Sequence, residues 1–351
     1  MVRKRLFIHP TFDCSFDKVC RDDCYLLKDK SDTDKMFRLP DSYWMEVVRA
    51  AGEHGFEELS LPINPLRGIT GVTDPLYWLR ILSPIAKEYD MIINITTTLN
   101  VADRIRPEDN VDIVAISIDE YRAGKDWARY SKKISKSVKR LQNMNIETNC
   151  NLSITQDTLV RFLANYEMRS FLMETFDYTT TLWPKPLDAF EPLMYGIPNA
   201  RYRQDRVFAA MVRMGDSIQD THTADGFSNE IQVEIMDALT GNTPGFLIDY
   251  CMSFVRGDSQ CDAGHGQLSI DAFGRIAICP YSQHSIDVST PEKFWYYLEE
   301  IVPRAGNISL CTLMEPQPTR PKYKRLPFIG TTERKIEDII DVSSAIIDLH
   351  W

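Results

Sequence analysis

The stretch DSYWMEVVRAAGEHGFEELSLPI, residues 41–63, holds a helix, a stop and a strand in succession. Asp41 follows Pro40 and is placed to cap the helix. Trp44, Val47, Val48 and Ala51 recur at helical spacing and share one face, which predicts a helix over 41–55 ended by Gly55. FEELSLPI (56–63) then reads as a strand. The same alternation extends both ways along the chain. On the N-terminal side, RLFIHP (5–10) is a first strand. On the C-terminal side come a helix over DPLYWLRILSPIAKEYD (74–90) with Pro75 in its first turn, a strand over MIINITT (91–97) and a strand over VDIVAISID (111–119). A helix through 123–143, a strand over IETNCNLSI (146–154), a helix over QDTLVRFLANYE (156–167) and a sixth strand over RSFLMETFD (169–177) complete the series.

Six strands separated by helices form βαβ units, which pair in parallel through right-handed crossovers. The expected fold is α/β, a partial (β/α)6-type TIM-like barrel with a small C-terminal α+β domain. In such barrels functional groups gather at the C-terminal ends of the strands. The expected division is a barrel core over 1–180, a connecting helical region over 181–244, a small cysteine-bearing domain over 245–316 and a tail over 317–351. Within the connecting region, helical patterns lie near 201–214 and 228–240.

Composition narrows the function classes. Hydrophobic residues make up 44% of the 351, enough for a substantial core. Lys plus Arg number 40 against 50 Asp plus Glu, a net charge of −10. That balance disfavours duplex nucleic acid, whose binding rests on cations neutralising phosphates. RYSKKISKSVKR (129–140) is a local basic strip and reads as the solvated face of a helix. No run of eighteen apolar residues is present, so no membrane span is expected. MVRKRLF at the start lacks the long apolar core of a secretory signal, and a cytoplasmic setting is expected. In a reducing compartment, clustered thiols bind metal or do redox work more often than they form disulfides.

The eight cysteines fall into two groups and one outlier. Cys14, Cys20 and Cys24 follow the first strand, spaced C-x5-C-x3-C. Cys251, Cys261, Cys279 and Cys311 lie in the small domain. There GQLSID, then FG, then RIAIC reads as a hairpin turning around Ala272–Gly274, which brings Cys279 back towards Cys261. Four thiolates of that kind suit a tetrahedral zinc or a four-iron cluster. Cys150 stands alone in a strand. It reads as a small buried hydrophobe, with a reactive catalytic thiol as the alternative.

A three-cysteine loop after the first strand of a β/α barrel resembles the radical S-adenosylmethionine (SAM) superfamily. The later pattern of Cys261, Gly274, Cys279 and Cys311, with Cys251 as a fourth ligand, resembles its twitch or SPASM-type auxiliary-cluster domain. The resemblance spans about residues 5–315. It implies a 4Fe–4S cluster on Cys14, Cys20 and Cys24. The iron they leave without a protein ligand would take SAM, and a second, auxiliary Fe–S cluster would sit on the later cysteines. It further implies reductive SAM cleavage to a 5′-deoxyadenosyl radical that abstracts hydrogen. The substrate would be a small molecule, a nucleotide or a peptide, and a donor such as flavodoxin or ferredoxin would supply the electron. The first spacing departs from the family's C-x3-C-x2-C. Where the family has Gly-Gly-Glu at the end of the second strand, this chain has LSLPINPL, with Asn64 as the replacement SAM contact. Ser117 and Asp119 at the end of the fourth strand, Asn149 or Asn151 near the fifth and Glu174 near the sixth are the other expected contacts. His9 precedes the first cysteine loop and His265 and His284 flank the hairpin. The alternative is a non-catalytic iron–sulfur or zinc-binding protein on the same fold.

Overall fold

Strands β1 (Arg5–Ile8), β2 (Glu58–Ile63), β3 (Ile92–Thr97), β4 (Ile113–Ile118), β5 (Glu147–Ser153) and β6 (Tyr178–Leu182) pair in chain order, each parallel to the next. The computed structural model describes residues 3–16, 30–118, 127–153, 166–182, 243–248, 264, 266–278 and 285–304. All lie in the first of two compact units, Met1–Met314. Between the strands run helices α1 (Asp32–Met36), α2 (Asp41–Glu53), α3 (Tyr77–Glu88), α4 (Leu99–Ala102), α5 (Trp127–Gln142) and α6 (Tyr166–Thr175). None of the described helices is long and apolar enough to cross a membrane.

Two strands join beyond the six expected. β7 (Phe246–Ile248) lies parallel to β6, and β8 (Gln267–Ile270) lies parallel to β1 on the side away from β2. β9 (Arg275–Ala277) and β10 (Ile286–Asp287) extend that edge antiparallel, before helix α7 (Pro291–Tyr296). The order is therefore β10-β9-β8-β1-β2-β3-β4-β5-β6-β7. Its eight parallel strands follow the circular order of a (β/α)8 barrel opened between β7 and β8. Residues 245–316, expected to stand apart as a small domain, thus contribute strands to both edges of the one sheet.

Strand-by-strand progression with crossovers of one hand puts the connecting helices on one face of the sheet. The outward residues of the strands confirm it. Leu6, Ile8, Leu59, Leu61, Ile63, Ile93, Ile95, Val114, Ile116, Ile118, Cys150 and Leu152 are buried in one cluster with Trp44, Val47, Val48, Leu79 and Leu82 of the helices. Each such side chain contributes about 1.5–3 kcal/mol by leaving water. Trp44 and Trp78 pack edge to face there, with ring centroids 6.4 Å apart.

The opposite face curls on itself. The Tyr178 phenol is pushed above its usual range by burial, by its hydrogen bond to Glu147 and by the charge of Glu58. Asn151 Nδ2 of β5 reaches Thr96 Oγ1 of β3 at 3.5 Å across β4, where a flat sheet would hold those two strands about 10 Å apart.

Local details differ from expectation for identifiable reasons. Residues 169–175 are the end of α6 rather than a strand, and 176–177 are the bend that follows it. Arg169 and Leu172 are buried three apart, which is helical spacing. The sixth strand is YTTTL instead, its β-branched Thr179 and Thr181 fully buried. Asp41 does not cap α2. Its carboxylate accepts from Arg38 Nη2 at 2.7 Å and Tyr77 Oη at 2.6 Å, and Pro40 holds the cap position. The basic strip is the outer face of α5, with Ile134, Ser137, Val138 and Leu141 inward. Arg140 turns in to donate to the carbonyls of Ile105 and Ala102. The expected helices near 201–214 and 228–240, and most of that over 156–167, lie outside the described residues.

Candidate active site

At the C-terminal end of β1 the chain is held at every step. His9 N donates to Ile270 O at 2.9 Å, which continues the β1–β8 ladder by one residue. Thr11 Oγ1 accepts from Asp13 N at 3.0 Å. The Asp13 carboxylate, 1% exposed, then accepts three consecutive backbone N–H groups beyond β2: Arg67 at 3.0 Å, Gly68 at 2.8 Å and Ile69 at 3.0 Å. Arg67 Nε adds an ion pair at 3.5 Å. Ser15 N donates to Pro65 O at 2.8 Å. Cys14, between these two anchors, is 7% exposed and packs with Phe12 and Ala272.

The other wall of this seat is the β8–β9 turn. Phe12 and Phe273 stack at 5.1 Å between ring centroids, and Lys30 Nζ lies 4.8 Å and 5.2 Å from the two rings. Phe16 packs on the same cluster. Phe16 and Lys30 flank residues 17–29, which carry Cys20 and Cys24, so both flanks rest on one patch. The turn is fixed by Asp271 Oδ1, which accepts from Phe273 N and Arg275 N at 2.9 and 3.0 Å. Gly274 takes φ +72°, and a Cβ there would stand 2.7 Å from Ser289 Cα. A side chain at that position is excluded on both counts.

His9 is 2% exposed, and burial lowers its imidazole to about 3, so it is neutral in the folded chain. An unfolded histidine titrates near 6.5. Below that pH the unfolded state alone binds the proton, so stability falls from pH 6.5 down towards 3. Moving from pH 7 to 5 is expected to cost about 2 kcal/mol through this residue. Urea unfolding at both pH values checks it. His9→Leu should flatten the difference, and an unchanged slope in that variant would remove His9 from the account.

The inner wall of the barrel is a field of neutral hydrogen-bonding groups. Register sets Ser117 beside Asn151 towards the C-terminal ends of β4 and β5, and Asn151 beside Thr180 in the middle of β6. Below them, Asn149 Nδ2 donates to Asn151 Oδ1 at 2.9 Å, and Thr180 N donates to Asn149 Oδ1 at 3.1 Å. At the other end of the barrel Arg5 Nε pairs with Glu58 Oε1 at 2.8 Å. Ser60 Oγ and Asn94 Nδ2 donate to that same oxygen at 2.9 and 2.8 Å.

The expected site residues separate into three sets. Ser117, Asn151 and Asn64 stand at the C-terminal ends of β4, β5 and β2, with Ser117 and Asn151 as register partners. Asn149 and Asn151 lie two apart and share the inward face, so they are not alternatives. Glu174 and Cys150 are displaced. Glu174 is exposed near the end of α6, at the barrel end where β6 begins, away from the C-terminal ends of the strands. Cys150 faces the helices, 0% exposed, and burial drives its thiol far above the usual range. A buried neutral thiol in an apolar layer is packing, and the catalytic reading of Cys150 finds no support there. Asp119, Cys20, Cys24, Cys251, Cys261, Cys279, Cys311, His265 and His284 lie outside the described residues. Among the described residues no group of three or more His, Cys, Asp or Glu side chains is arranged for a metal ion.

Sequence reasoning passed over Asp13, Phe12, Phe273, Asn94 and Thr180. A signal existed for some of them. Asn94 with Thr96, and Asn149 with Asn151, are polar residues two apart that alternate with the apolar Ile95 and Cys150, which marks an inward polar face.

The architecture is thus that of an opened parallel β/α barrel with its candidate site at the C-terminal ends of the strands. No family model and no curated protein matches the chain. Among solved structures it aligns with native anSMEcpe with bound AdoMet, at 13% identity and TM-score 0.45, over 83% of this chain and 80% of that one. It also aligns with native anSMEcpe with bound AdoMet and Cp18Cys peptide, at 13% identity and TM-score 0.46, over 86% and 81%. The HMG-CoA lyase from Brucella melitensis aligns at 8% identity and TM-score 0.37, over 82% and 87%. Likeness of this depth carries no argument about activity, and the functional reading rests on the chain's own residues.

Proposed function

We propose that the chain is a radical SAM enzyme, with Cys14, Cys20 and Cys24 as ligands of a 4Fe–4S cluster and an auxiliary Fe–S cluster on Cys251, Cys261, Cys279 and Cys311. The observation that carries the reading is the seat of Cys14. A cysteine is fixed at the C-terminal end of β1, where barrels of this kind gather functional groups, and both flanks of the 17–29 segment pack on that same seat. Three soft thiolates suit an iron–sulfur cluster and leave one iron open. Bound there, the cluster would supply the electron that cleaves the SAM sulfonium and so the hydrogen-abstracting chemistry.

The protein's own share is orientation and exclusion of water. Asn64, Ser117 and Asn151 offer uncharged donors and acceptors at the mouth, with Asp119 as a further contact for the SAM ribose. Thr96, Asn149 and Thr180 continue that neutral wall inward. A further support concerns the auxiliary site. Gly264 N donates to Ile278 O at 3.2 Å, which links the third residue after Cys261 to the residue before Cys279. A one-electron donor such as flavodoxin or ferredoxin and a small-molecule, nucleotide or peptide substrate complete the proposal.

Anaerobic reconstitution tests it. The protein should turn brown, bind about eight irons in two cubanes, and release 5′-deoxyadenosine from SAM and dithionite. Colourless protein that takes up zinc overturns the reading in favour of a structural metal site. Iron uptake without deoxyadenosine overturns the SAM chemistry and leaves a cluster protein.

A further inference from the structure

We propose that Asp13 is a positioning residue that couples the first cysteine loop to the loop after β2, and thereby holds Cys14 and Asn64 in one fixed relation. The inference rests on the reading of Cys14 as a cluster ligand. Three successive backbone N–H groups converging on one anion form a nest, a device that commonly binds phosphate or other ligand anions. Here the nest of Arg67, Gly68 and Ile69 is filled from within the chain, by a carboxylate shielded from water. Gly68 makes the nest possible with φ +83°, and a Cβ there would also stand 3.1 Å from Thr73 Cγ2.

The covalent neighbours turn this clamp into a site device. Cys14 follows Asp13 directly, and Ser15 N is bound to Pro65 O, the residue after Asn64. The segments that carry the cysteine and the asparagine are therefore cross-linked by the three bonds to the Asp13 carboxylate and by this one, all within a few residues of each. In a chain that lacks Gly-Gly-Glu at this place, the clamp gives the second loop a defined shape without those residues. Asp13 touches no substrate. It acts through the positions of its neighbours, in the way that outer hydrogen bonds orient metal ligands.

The test uses the full chain and two variants. In Asp13→Asn an amide donor faces the Gly68 and Ile69 N–H groups that Oδ2 now accepts. Gly68→Ala disturbs the nest from the other side and leaves the carboxylate intact. In metal-free protein, iodoacetamide labelling of Cys14 is followed by peptide mass spectrometry, with Cys150 as the internal reporter of global unfolding. Labelling of Cys14 is expected to run about tenfold faster in both variants while Cys150 stays protected. In reconstituted protein, a chelator challenge should show iron lost about tenfold more readily than in the wild type.

Unchanged Cys14 labelling in both variants, with Cys150 protected, overturns the proposal. If Asp13→Asn also exposes Cys150, the Gly68→Ala comparison decides. A wild-type chain that takes up no iron sinks the cluster reading by itself, while the labelling ratio still judges the clamp. Iron bound by the wild type and held as firmly by the variants sinks the positioning role alone.

Discussion

Cys14→Ala is expected to reduce 5′-deoxyadenosine formation to the protein-free background while leaving the fold in place. Three thiolates are the least that hold a site-open cubane, and two leave the cluster without a defined open iron. The structural cost is small by comparison. The side chain is short and sits in the small cluster with Phe12 and Ala272, so the loss of stability should be about 1 kcal/mol. Cys150→Ala is the matched control. It removes a fully buried thiol from the apolar layer behind β5 and should cost about 1–2 kcal/mol with deoxyadenosine formation retained. Anaerobic turnover with product quantified by chromatography separates the two. Full product from Cys14→Ala, with iron still bound, would mean that the first cysteine group is not the SAM-cleaving centre.

The second large effect lies at the far end of the barrel. Arg5→Leu strands Glu58, whose side chain is 1% exposed, without its cation. Removing one member of a buried pair commonly costs about 3–5 kcal/mol. Arg5 is itself 34% exposed, so water already screens part of the interaction, and about 2–3 kcal/mol is the expected loss. Urea midpoints at constant slope measure it. Replacing both residues with apolar ones should recover part of the loss, because no charge is then left buried. A single variant as destabilised as the double would show that packing, not the uncompensated carboxylate, sets the cost.

Much of the barrel was legible because period and punctuation agreed. Residues 41–63 were read as helix, stop and strand, and α2 and β2 fall within those bounds. The hairpin turn was marked by Gly274, which the left-handed backbone requires. Two places misled. FLMETF carries enough apolar residues for either period, and burial three apart decided for helix. YTTTL lacks the apolar alternation that marks a strand, although β-branched threonine suits one. The attachment of β8 to β1 was not legible at all. Pairing between segments so distant in sequence leaves no local pattern, so the places of β7 and β8 beside β6 and β1 are known only from the structure.

The candidate site was legible in residue type and less so in geometry. Ser117 and Asn151 stand out in the sequence as polar residues towards the ends of their strands, and register sets them side by side. Glu174 was misplaced with its helix. Asp13 gave no signal, since an aspartate beside a cysteine looks like any acidic loop residue until its three amide partners, more than fifty positions away, are known.

The β1–β8 pairing also sets an order of events during synthesis. The first strand and its cysteine leave the ribosome well before the strand they pair with. Ile270, Ala272 and Phe273, which complete the cysteine's seat, emerge about 250 residues later. Until then the thiol has one wall and no floor. On the proposed function, cluster insertion accordingly waits until residues 270–273 have been made, and a product truncated before them would leave the cysteine's seat open rather than deliver a half-active enzyme.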